Sequence, residues 1–98
     1  MAENATLTID ENVLYGMRRE DLLRHGRAVQ QYCDAADRDL YQFTVHVLML
    51  SPQASRDQLR RAAAAAGLVP RCREILTACD HCADLVRAYS ETLRRRGI

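Results

Sequence analysis

From Leu22 onward the chain carries an apolar residue or a glycine at steps of three and four: Leu22, Gly26, Val29, Cys33, Ala36, Leu40, Phe43, Val47 and Leu50. Side chains at that spacing stack on one face of a helix. The pattern predicts a single long helix that starts near Arg18 or Arg19 and extends roughly 45 Å at a rise of ~1.5 Å per residue. A chain of 98 residues has little other material with which to cover such a stripe. Gly26 lies on it, where it is disfavoured by about 1 kcal/mol against alanine. The stripe keeps its phase on both sides, which favours a close approach by another helix over a break.

A second stripe follows the same rule: Cys72, Ile75, Cys79, Cys82, Val86, Tyr89 and Leu93, widened by Leu76, Ala83 and Leu85. It predicts a last helix from about Arg71 to Arg95, with Pro70 suited to the first helical position. Ser51-Pro52 ends the first long helix, because the residue before proline avoids the helical region. Ser55 and Gln58 form a capping box for a short helix through the alanine run, which Gly67 closes as a left-handed cap. Asp10 caps another short helix, Glu11 to Tyr15, that ends at Gly16. Phe43, Val45, Val47 and Met49 also alternate as a strand would; the length and phase of the run from Leu22 decide for helix. Residues 1–9, with Met1 to Asn4 as a loose end and Thr6 to Ile9 extended, read as a flexible N-terminal arm, and residues 10–98 as a single helical domain. The expected fold is all-α: an antiparallel long-helix hairpin with two short helices, doubled into a helical-bundle homodimer.

Charges nearly cancel, at a formal net +1, which argues against general affinity for nucleic acid. Arg94, Arg95 and Arg96 form one local basic run. No apolar run approaches the ~20 residues of a membrane span. The polar start of the chain does not read as a signal peptide. The expectation is therefore a cytoplasmic protein, away from membranes, whose four cysteines are thiols.

Cys79-Asp80-His81-Cys82 is a Cys-x-x-Cys, with Cys72 on the same face and Cys33 on the other stripe. Thiolates and imidazole are the usual zinc donors, so Cys72, Cys79, Cys82 and Cys33 are candidate metal ligands. The helical cysteine spacing also resembles a fragment of the cysteine-rich copper-storage bundles, over one helix only. All four sit on stripe positions where a thiol acts as a small hydrophobe, and that reading is preferred to metal or redox chemistry, with no cofactor expected. Residues 59–68 resemble the first helix and turn of a helix-turn-helix, which would leave Arg71 and Arg73 free to meet DNA. A DNA-binding dimer built on helices 55–66 and 71–95 is thus the first alternative, and a thiolate metal bundle the second.

Of the histidines, His46 lies in the most apolar stretch and reads as a hydrogen-bonded core residue, His25 as solvated, and His81 as pointing off the stripe. Asp34, Asp37 and Asp39 spread around the helix as a solvated face. No nucleophile has a context that names a base, so no enzyme is expected. Apolar residues off the two stripes remain: Tyr41, Val45, Leu48, Met49, Leu14, Tyr15 and Leu85. They are the candidate dimer or partner interface. The resulting functional expectation is a small non-enzymatic interaction module of a bacterial type. It would regulate a partner protein, such as a transcription factor, by occupying its surface.

Overall fold

The computed structural model describes residues 7–98; the expected loose end Met1 to Asn4 lies outside them. Its elements are α1 (Glu11–Tyr15), α2 (Arg19–Tyr41), a π-helical turn (Gln42–Val47), α3 (Arg56–Ala66) and α4 (Val69–Arg96). The protein is all-α, with no strand among the described residues. No helix among them is long and apolar enough to cross a membrane.

Local chemistry sets the boundaries. The Asp10 carboxylate accepts the Asn12 N–H and starts α1. At α3 the capping box is complete: the Gln58 N–H donates to Ser55 Oγ at 3.1 Å, and the Ser55 N–H donates to Gln58 Oε1 at 2.7 Å. Gly67 closes α3 in the left-handed region at φ 73°. Helix α4 starts two residues before the expected Arg71, and Pro70 falls in its first turn, where a missing N–H breaks no ladder bond.

Packing divides the chain into two compact units. The first holds residues 7–33 and His81–Ile98. Leu14, Leu22 and Ala88 form its buried cluster, with Met17, Tyr89 and Leu93 against it. Here α2 and α4 pass in opposite directions: Gly26 meets Tyr89, and Cys33 meets Cys82. A Cβ on Gly26 would lie 2.8 Å or less from three atoms of the Tyr89 ring and hydroxyl. The glycine therefore provides close approach, and α2 runs through it unbroken. Two arginines of the C-terminal basic run hold this unit together. Arg96 donates to the Met17 carbonyl at 2.7 Å. Arg95 pairs with Glu11 at 3.4 Å and lies 5.3 Å over the Tyr15 ring.

The second unit is Asp34–Asp80. Phe43, Leu59, Ala63, Cys72, Ile75 and Leu76 make its core, with Leu40, Leu48, Ala54 and Leu68 packed on the edge. Leu59 and Ala63 are buried on α3, as are the stripe residues Cys72 and Ile75 and the neighbouring Leu76 on α4. The end of α2 departs from expectation. The α-helix stops at Tyr41, and a wider turn follows in which the Leu48 N–H reaches back five residues to the Phe43 carbonyl at 2.8 Å. The extra residue in that turn rotates everything after Phe43. Thr44 turns inward to 3 % exposure, and Val47, which the α-helical phase places on the buried stripe, is half-exposed.

Candidate functional site

The wide turn leaves a conspicuous surface in the second unit. Leu48 ends the helix, and Met49 follows at φ 59°, the one non-glycine residue with positive φ among those described. That position just past a helix end favours glycine, because a Cβ there crowds the backbone. Met49 is also 79 % exposed, and Tyr41 and Val47 are half-exposed. The Tyr41 ring stands edge-on to His46 with centroids 5.8 Å apart. His46 is exposed, not a core residue: the same rotation that turns Val47 outward carries it to the surface.

The other expected interface residues separate sharply. Val45 and Leu48 are half-buried, and Leu48 packs on the core of the second unit. Tyr15 is half-exposed in the first unit, beneath Arg95. Leu14 and Leu85 are at 0 % exposure. These two have no surface to offer a partner, which corrects their assignment: Leu14 sits in the cluster of Leu22 and Ala88, so α1 is folded onto its own unit.

Two grooves flank the start of α3 in the second unit. One, of about 290 Å³, is walled by Arg56, Arg60, Arg73 and Asp80 over a floor that includes Ala63, Cys72 and Leu76. The other, of about 250 Å³, lies among Tyr41, Thr44, Pro52 and Leu59 and shares Arg56 and Leu76 with the first. Arg56 reaches from α3 to Asp80 at 2.8 Å. This bond holds the Asp80 carboxyl below its ordinary value and raises the guanidinium above its own. Arg71 and Arg73, the DNA contacts of the alternative reading, are both exposed but do different things. Arg71 pairs with Glu74 at 3.4 Å, whereas Arg73 lines the groove. Two residues apart on a helix, they stand roughly 200° around its axis. The sequence signal that was missed is Arg56 and Arg60, one turn apart on α3 and beside the small face of the alanine run.

The cysteines require a correction. Cys33 and Cys82 form a disulfide in the first unit, with Cα atoms 5.3 Å apart, so the expectation of four thiols fails. The opposed helix directions bring the two stripes together at this pair, within the roughly 4–7 Å between Cα atoms that is usual for a disulfide. Such bonds persist in oxidising surroundings, so the inference from thiols to a reducing cytoplasm loses its basis. Cys72 is buried in the second unit, and Cys79 is half-buried there. Burial pushes the Cys79 thiol above its ordinary value, with the Arg56 guanidinium opposing. Among the described residues no three Cys, His, Asp or Glu side chains gather as a metal site would need. The proposed ligand set Cys72, Cys79, Cys82 and Cys33 is thereby dispersed: two are consumed in the disulfide.

His25 is buried at 4 % exposure, not solvated. Its Nε2 accepts the Thr8 N–H at 3.2 Å, and its ring stacks on Tyr89 with centroids 6.0 Å apart. Nδ1 has no partner. Burial holds this imidazole below the ordinary 6.5, in the neutral form that can accept from Thr8. His81 meets Tyr32 edge-on at 5.5 Å. Asp34, Asp37 and Asp39 are exposed. Comparison with protein-family models, with curated proteins and with solved structures finds no match.

Proposed function

We propose that this chain is a small non-enzymatic interaction module, and that the exposed side chains Tyr41, Val47 and Met49 form its contact surface. The observation that carries this reading is Met49: an apolar side chain held in the left-handed region and given almost wholly to solvent. Backbone strain of this kind costs about 1–3 kcal/mol and tends to be kept where it serves contact. Methionine is favoured at adaptable protein surfaces, and Tyr41 and Val47 extend the apolar face. A symmetric homodimer is the simplest occupant, since like surfaces pair about a two-fold axis. An antiparallel helical hairpin doubled into a bundle is the form we assign to it. Its work would be regulation of a partner protein, such as a transcription factor, through surface occupation.

Light scattering tests the proposal. At roughly 100 µM, where even modest dimers form, the mass should be twice the 11.1 kDa of one chain. Met49→Asp and Val47→Asp should each return it to a single chain with helicity unchanged. Leu48 is a poorer test position, because it also packs on the core. A single-chain mass at that concentration would refute the homodimer.

A further inference from the structure

We propose that the groove between α3 and residues 69–80 of α4 is a docking site for an acidic segment of a partner protein, anchored by an apolar side chain. This deepens the interaction-module reading and rests on it. Three arginines and one aspartate line the groove, a surplus of two positive charges. The whole chain carries only +1. The groove therefore concentrates charge that the rest of the surface cancels.

Two of the three arginines are available, Arg56 being engaged by Asp80. Arg73 has no carboxylate within 4.0 Å among the described residues. Arg60 is held by Asp57 at 3.2 Å, but both side chains are more than half exposed, and such pairs are worth ~1 kcal/mol or less. A partner carboxylate can replace Asp57 at little loss. Guanidinium groups bind carboxylates through two parallel hydrogen bonds and are enriched where protein partners meet.

The floor explains the rest of the partner's chemistry. Ala63 and Cys72 are small and buried, and between them the two helices leave a depression floored also by Leu76. At about 290 Å³ it lies at the low end for small-molecule pockets, which run from roughly 300 to 1,000 Å³. The space suits one or two apolar side chains and not a nucleotide-sized cofactor. An apolar floor beneath an arginine rim matches an amphipathic helix with leucines on one face and acids flanking them, since groove-bound helices dock through an apolar face. A nucleic-acid backbone would use the rim and leave the floor empty.

The probe is a fluorescein-labelled peptide of about 14 residues, two heptads, with leucines at i, i+3, i+4 and i+7 and glutamates elsewhere. A lysine-for-glutamate counterpart and a short DNA duplex serve as comparisons. Anisotropy should show binding of the acidic peptide alone, weakened at least about fivefold between ~50 and ~300 mM salt. Arg60→Glu and Arg73→Glu should each weaken it by about tenfold with helicity intact, whereas Arg27→Glu, an equal change of charge at an exposed position of the first unit, should leave it unaltered. Equal binding of both peptides, no binding of the acidic one, or no response to either charge reversal would overturn the groove assignment. Stronger binding of the duplex, sensitive to the same reversals, would overturn it in favour of nucleic acid. A chain that dimerises yet ignores the peptide loses the groove but keeps the proposed contact surface. A single-chain protein that binds the peptide does the reverse.

Discussion

Removing the Cys33–Cys82 disulfide should destabilise the protein strongly, because of what the bond encloses. The two cysteines are 49 residues apart, and the residues between them include the whole of the second unit. In the chain-entropy account, closing a loop of that length removes about 14 cal/mol/K from the unfolded ensemble, or about 4 kcal/mol at 25 °C. Residual structure in the unfolded chain reduces this, so about 3–4 kcal/mol is the expected loss. That is a large share of the 5–15 kcal/mol that holds typical domains together, on the order of a quarter or more. The measurement is urea unfolding followed by helical circular dichroism, comparing the oxidised chain with Cys33→Ser/Cys82→Ser. With a slope of about 1.5 kcal/mol/M for a chain of this size, the midpoint should fall by about 2 M. Cys79→Ser, which removes a thiol without opening the ring, is the control and should move the midpoint little. A double variant whose midpoint stays within ~0.5 M of the parent would show that the bond constrains little, and the loop argument would be wrong.

Gly26→Ala should destabilise, because its Cβ collides with the Tyr89 ring; in a Tyr89→Ala background the same change should stabilise by up to about 1 kcal/mol, the helical preference of alanine. A double-mutant cycle that shows no change of sign would rule out the close contact. His25 is held neutral by burial, so the unfolded chain takes up its proton first as pH falls. Its contribution to stability is complete above pH 6.5 and is lost as pH drops through the lowered folded midpoint; His25→Gln should flatten that part of the profile, and an unaltered profile would contradict the assignment. Met49→Gly should raise stability by about 1 kcal/mol through relief of the left-handed backbone while abolishing self-association, and loss of stability would argue against strain at that residue.

The helices were legible where local chemistry decides them. Asp10, Ser55 with Gln58, and Gly67 each carry a side chain or a conformational freedom that places a helix end almost by itself. The buried stripe held from Leu22 through Phe43 because it needs only a constant pitch. It failed at Val47 because a π-turn changes the pitch, and neither glycine nor proline marks the change in residues 41–50. Met49 in the left-handed region has no sequence signal either, since the usual residues there are glycine and asparagine. The disulfide was hidden for a different reason. Both cysteines lie on apolar stripes, which is where reduced cysteines also lie, and only the register between helices distinguishes the two cases. The pitch change carries His46 to the surface, whereas His25, three residues after Leu22 and four before Val29, lies on the inward face of regular α2 and its polar side chain hides that placement.

Each unit alone is small for its task. Single cores seldom suffice below roughly 70–80 residues, and small domains then add covalent or polar ties. The first unit has two: the disulfide and the Arg96 bond to the Met17 carbonyl. Asp34–Asp80 has a six-residue buried cluster and good helix caps, but within it the ion pairs are exposed and its two cysteines are free. This less-fastened unit is also the one that presents Met49, Tyr41 and Val47 to solvent and contains the arginine groove. Covering apolar surface contributes about 25 cal/mol per Å², so a partner that buries even ~200 Å² there offers several kcal/mol before the entropy of association is subtracted. Exposed apolar side chains and a charged groove on one unit are the physical reason to look for contact there first.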